Sequence, residues 1–278
     1  MSSVGRFGIV ILLLLTATPF TGIPAFAQVD FSGNWARRIN EDGAPAIAEY
    51  LGIPLNEAGR RRGDTWQESE YSQPEFQCRP HGGFYIWHGQ SNLMISKELD
   101  PVTRQITAFH TEWDRSVDSV VYLDGRAHPS ENATHSWGGF ATGKWEGNTL
   151  KVTRTHLKEN YIRRNGLPLS DKATVSEYWY RHGDFLTVLT IAYDPVFLTE
   201  PYIRTSDFEL DLNQGIVPAA CAVVEEINLA EDYVPHWLPG MNPDLHEFAD
   251  KTGIPYEATR GGAETMYPDY RSKLKKKP

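Results

Sequence analysis

The chain has 278 residues, 40% hydrophobic and 12% aromatic, enough apolar material for one large β domain or two small ones. Lys and Arg number 27 against 36 Asp and Glu, a net charge of −9, and an acidic chain repels phosphate backbones, which argues against a nucleic-acid partner. The sequence has no dinucleotide fingerprint, phosphate-cradling Gly loop, G-x-S-x-G elbow, HExxH motif or Cys/His quartet, so the nucleotide-, serine- and zinc-dependent classes lack their usual signatures.

The first 27 residues read as a secretory signal peptide. Arg6 supplies the positive start, Gly8 to Phe20 the apolar run, and Ala25-Phe26-Ala27 a small-x-small cleavage site. The apolar run is too short to span a bilayer and Pro19 interrupts it, so stable membrane insertion is not expected. An exported chain meets an oxidising compartment, where Cys78 and Cys221 most simply form one disulfide; two buried thiols are the alternative.

Residues 31–38, "FSGNWARR", read as a first strand, and 44–62 as a helix with Asn56 as a candidate N-cap. Residues 63–90 are rich in Gly, Gln and aromatics and show no clear period. From 92 onward short alternating runs follow one another. "NLMISKELD" and "QITAFHTEW" flank the turn "DPVTR", and "SVVYL" comes next. "FATGKW" and "TLKVTRTH" flank "EGN"; "ATVSEYWYR" and "FLTVLTIAY" flank "HGD"; "YIRTSDFELD" ends the series. The expected fold is all-β: a closed antiparallel barrel spanning about 92–211, with 31–38 as a further strand, because closure hides the edges of such a meander. A barrel of eight to ten strands leaves room for one small ligand. This barrel domain covers 28–227. The Pro- and Trp-rich segment 228–278, with a short helical stretch near "PDLHEFADK", is expected to wrap the barrel or cap one end.

Two resemblances add to this reading. "SGNW" at 32–35 carries the Gly-x-Trp that opens the first strand of lipocalin-like barrels, where the Trp packs across the barrel floor. The run "YLDGRAHP…HSWGGFATGKWEGNTLKV" resembles a family of exported, mostly uncharacterised bacterial proteins with the pattern DGR-x-HP, W-x-G and G-x-WEG-[DN]-TL-x-V. "CRPHG" at 78–82, "GLPLSD" at 166–171, "SEYWYR" at 176–181 and Asp194-Pro195 also match, so the likeness covers most of 76–201. This chain departs from the pattern at Asn148, where the family usually has Asp, and at Asp118 and Ser119, where an Arg often precedes "YLDGR".

Strand parity nominates residues for chemistry. In "TLKVTRTH" the apolar face carries Leu150, Val152, Arg154 and His156, which places Arg154 and His156 in the barrel or at its mouth. In "ITAFHTEW" both faces hold apolar residues; if Ile106 and Ala108 point inward, His110 and Glu112 form an acid/base pair on one wall. Glu177 shares a face with Val175, Trp179 and Arg181, so it is either paired with an Arg inside or exposed on an edge. In "YLDGRAHPSENATHSW", residues 122–137, Asp124-Gly125 signals a turn, while Arg126 and His128, beside Trp137, face a cavity mouth. Arg126 would hold an anionic or phenolate oxygen, one of His110, His128 and His156 would serve as general base, and Glu112 would orient it or act as the acid. Arg154, Trp137 and Glu177 complete the expected substrate-binding set. A metal centre is disfavoured, though His110, Glu112, His128 and His135 could converge. The expected function is therefore a cofactor-free periplasmic lyase, isomerase or hydratase acting on a small apolar or aromatic molecule. The rival is a non-catalytic binder of a hydrophobic ligand, and the oligomeric state is left open.

Overall fold

The computed structural model describes residues 28–38, 49–50, 52–89, 91–113, 118–213, 215, 221 and 230–274. The signal-peptide reading of 1–27, the start of the expected helix at 44–48 and the last lysines of the basic tail lie outside these residues.

Among the described residues eleven strands form: β1 (Gly33–Arg37), β2 (Leu93–Leu99), β3 (Ile106–Trp113), β4 (Ser119–Tyr122), β5 (Phe140–Glu146), β6 (Thr149–Thr155), β7 (Asn160–Arg163), β8 (Leu167–Leu169), β9 (Thr174–His182), β10 (Phe185–Tyr193) and β11 (Tyr202–Leu210). Nine of them close in the order β1-β11-β10-β9-β6-β5-β4-β3-β2, because β1 pairs with β11 on one side and β2 on the other. β7 and β8 make a separate hairpin. The barrel is not all-antiparallel as expected: β4 and β5 run parallel, Val121 opposite Ala141. Parallel neighbours need a connection that returns the chain to its starting end. Residues 123–139 must therefore run back along the barrel wall, which places the "YLDGRAHP" stretch outside.

Of the expected helix over 44–62, the described part forms only from Glu57. Helix α1 runs Glu57–Thr65, and Asn56 caps it by accepting the Gly59 amide at 3.0 Å. Residues 52–55 are not helical: Gly52 sits at φ +69 and Leu55 forms a bridge with Leu198. Short helices α2 (Pro74–Gln77), α3 (Glu247–Thr252), α4 (Tyr256–Thr259) and α5 (Tyr270–Leu274) follow, with 310 turns at Glu68–Ser72 and Tyr85–Trp87.

The barrel interior is built from large aromatics. Phe31, Trp35, Trp87, Phe109, Trp179 and Phe208 are all wholly buried, each contributing about 2–3 kcal/mol by leaving water. Phe31 packs edge-on against Phe109 and Trp179 at 5.5 and 5.7 Å. Trp87 reaches Trp179 at 5.2 Å from the Tyr85–Trp87 turn, so this turn is driven into one end of the barrel. Arg37 holds it there, donating to the Ile86 carbonyl at 2.8 Å and to that of Trp87. A second apolar cluster, including Tyr50, Leu55, Phe84, Leu167 and Leu169, joins the barrel to α1 and the β7–β8 hairpin. Among the described residues no helix is long and apolar enough to cross a membrane.

Candidate functional site

A cleft of about 570 Å3 opens outside the barrel, between the end of α1, residues 68–81, the β7–β8 hairpin and residues 234–236. Local sequence explains the walls. Gly63 lets α1 lie against β8, since a Cβ there would stand 2.7 Å from the Leu167 side chain. Gly166, at φ +84, makes the hairpin turn. The tail closes over α1: Trp66 bridges His236, and the Trp237 amide donates to the Thr65 carbonyl at 2.9 Å. A disulfide between Cys78 and Cys221 ties the stretch next to the cleft residues Gln77 and Arg79 to a distant part of the chain.

One wall is a chain of rings set edge to face. Trp66 meets Tyr71 at 5.6 Å, Tyr71 meets Tyr161 at 6.4 Å, and Tyr161 meets His81 at 5.6 Å. The Tyr161 hydroxyl is hydrogen-bonded to Nδ1 of His81. The other side of His81 packs on Tyr85 and Trp113 at 5.0 and 4.9 Å, at the barrel rim. An imidazole and a phenol in direct contact can pass a proton between them, and both line the cleft. Charges are mixed: Arg62 pairs with Glu159, while the Arg79 guanidinium lies 3.7 Å over the Phe76 ring.

The residues nominated from sequence lie elsewhere. Arg154 does point inward, but it is locked. It and Glu177 are both wholly buried, with Arg154 Nε donating to Glu177 at 2.8 Å and Trp179 Nε1 donating to the same carboxylate at 2.9 Å. Arg154 also donates to the Ser119 hydroxyl and, at 2.7 Å, to the Gly138 carbonyl. His110 and Glu112 lie on the outer face, because Phe109, Thr111 and Trp113 fill the inner one. His110 sits between Glu98 and Asp118 at 2.8 and 2.7 Å; burial lowers its pKa, but the two carboxylates outweigh this and raise it.

His156 does not continue the β6 face with Arg154. It adopts φ +56 just past the strand end and turns outward. There it meets His128 through one hydroxyl: Thr155 Oγ1 is 2.8 Å from His128 Nδ1 and 2.7 Å from His156 Nδ1. His156 Nε2 lies 2.9 Å from the Ser130 carbonyl and donates to it. His128 Nε2 stands 2.8 Å from the Thr142 hydroxyl. His135 donates to the Leu157 carbonyl at 2.9 Å. Arg126, in the same loop, is bound to Asp124 at 2.9 Å and lies 3.6 Å over Tyr122. These contacts fasten the returning loop to the outer wall of β5 and β6. None of the nominated residues lines the cleft; Trp137 stands behind the lining residue Arg79, its ring centre 5.6 Å from that guanidinium. Among the described residues no group of three or more His, Cys, Asp or Glu is placed to hold a metal ion.

Sequence reasoning passed over Tyr161 and His81. The segment holding His81 had no period to read, and Tyr161 lies in a hairpin of only short strands. The available signal was "CRPHG" at 78–82, the short polar stretch that contains His81. No family model, no curated protein and no solved structure matches the chain.

Proposed function

We propose that this chain is an exported acid–base enzyme acting on a small aromatic molecule bound in the cleft, with Tyr161 and His81 as its proton-transfer pair. The observation that carries the reading is the hydrogen bond between the Tyr161 hydroxyl and His81 Nδ1 in an aromatic wall. In one cycle Tyr161 gives its proton to an oxygen of the ligand, and His81 takes a proton from a neighbouring carbon or hydroxyl. The proton then returns from His81 to the tyrosinate along their shared hydrogen bond. No electron is gained or lost, which fits a lyase, isomerase or hydratase step. Export is supported by the apolar N-terminal run with its cleavage pattern and is consistent with the Cys78–Cys221 bond. The likeness to an exported bacterial family and to lipocalin-like barrels supports the same reading, with Trp35 of the Gly-x-Trp buried in the barrel core.

The test is turnover of a panel of hydroxylated aromatic compounds by the purified chain, followed by mass spectrometry. Tyr161→Phe is expected to lower turnover by about 10²-fold or more with the thermal midpoint nearly unchanged. His81→Gln is expected to act in the same direction. Ligand binding without turnover in the unmodified protein would assign the cleft to binding alone, and turnover untouched by both substitutions would remove the site.

A further inference from the structure

We infer that the ligand of this cleft is an aromatic anion, such as an aryl carboxylate, and that Arg79 and Lys158, set around Trp137, receive its charge. This rests on the cleft being the ligand site. Arg79 lines the cleft, with its guanidinium 3.7 Å from the centre of the Phe76 ring and 5.6 Å from that of Trp137. The Lys158 ammonium lies 5.1 Å from the same indole. Two cations therefore converge on one ring.

Neither cation forms an ion pair or side-chain hydrogen bond with any described residue. The nearby carboxylates are otherwise placed. Glu159 is taken by Arg62, and Glu68 and Glu70 stand on the 310 turn without bonding Arg79. A guanidinium held by a ring face spends none of its in-plane N–H donors on that contact. Arg79 is thus oriented while its hydrogen-bonding edge stays available, the arrangement a planar carboxylate needs for paired N–H···O bonds. The backbone beside it is also restrained, since Cys78 is bonded to Cys221. The ring chain Trp66–Tyr71–Tyr161 offers the aromatic part of such a ligand an edge-to-face surface. The charge near Trp137 thus sets which aromatic molecules enter, while Tyr161 and His81 carry the proposed chemistry.

The experiment is calorimetric titration of the full chain with 4-hydroxybenzoate and with its neutral counterpart 4-hydroxybenzamide, at neutral pH and low and moderate salt. The anion is expected to bind about tenfold more tightly, the difference between a charge-assisted and a neutral hydrogen bond. The preference should shrink as salt rises. Arg79→Gln should abolish it and leave the amide's affinity unchanged. Lys158→Gln, on an exposed side chain, should reduce it in part and serves as the second variant if Arg79→Gln perturbs the fold. Equal affinities in the unmodified protein, or a preference that survives both substitutions, would overturn the anion assignment and leave the cleft as a ligand site. Failure of both probes to bind would count against both.

Discussion

Arg154 and Glu177 show how a pattern that suggests catalysis can serve structure. Both lie on inward faces of neighbouring strands, and both are cut off from water. An unpaired charge in such a place is costly, so the pair holds because the charges meet each other and share further partners: Glu177 accepts from Arg154 and Trp179, and Arg154 donates to Glu177, Ser119 and Gly138, with its Nη2 left buried without a partner. Arg154 thereby ties β6 to β4 and to the Gly138 turn. Glu177→Gln should leave a guanidinium buried without its counter-charge and cost about 3–5 kcal/mol. Urea unfolding would measure this. Glu98→Gln, on the exposed side of the His110 pairing, should cost no more than about 1 kcal/mol in the same assay. Equal effects of the two substitutions would mean that the buried pair is not the keystone its burial implies.

The element that departs most from a simple meander is the connection 123–139. It exists because β4 and β5 are parallel, and it is fastened by three imidazoles. Two histidines of the outer wall carry opposite linkage to pH. His128 is held below its ordinary pKa, first by burial and then by His156. The unfolded chain binds that proton more readily, so the contribution of His128 is present above about pH 6.5 and is lost as pH falls through its folded value. His110 is held above its ordinary value by Asp118 and Glu98, against burial. Its contribution is complete below about pH 6.5 and is lost as pH rises through its folded value. Urea midpoints between pH 5 and 9 would separate the two. His128→Asn should flatten the acid side of the profile and His110→Asn the alkaline side. A profile in which either substitution acts on the opposite limb would contradict the assigned surroundings.

At the scale of the molecule, apolar packing joins the barrel to the layer that carries the cleft, and one disulfide ties that layer to the segment after β11. Cys78 and Cys221 are 143 residues apart in sequence, and closing so long a loop stabilises by about 5 kcal/mol in the chain-entropy model. Cys78→Ser with Cys221→Ser should therefore lower the unfolding free energy by several kcal/mol. The strand pairing of the barrel does not run through these residues, so the far-ultraviolet circular dichroism in buffer should change little. Loss of the β signal in buffer would show that the barrel cannot close without the bond.

How much of this was legible in the sequence depends on the range of the interactions involved. Strands β2, β3, β6, β9, β10 and β11 were readable because alternation and turn residues are local properties. The Asn56 cap was readable for the same reason. The short β7–β8 hairpin was not, since its strands are too brief to show a period. Parity placed Arg154 and Glu177 on shared faces with apolar residues, but it could not say that they satisfy each other. It also failed for His110, where both faces of β3 carry apolar side chains, and for His156, where a positive φ ends the alternation.

The sequence by itself determined a mostly β chain with closely spaced strands, an aromatic interior and two cysteines able to pair. Only the tertiary structure decided that β4 and β5 run parallel, that the polar residues 124–136 lie outside the barrel, and that Tyr161 meets His81 across 80 residues of chain. The physical reason is that alternation reports only which side of its own strand a residue occupies. Which strands become neighbours, and what a loop lies against, is set by burying the whole aromatic core at once.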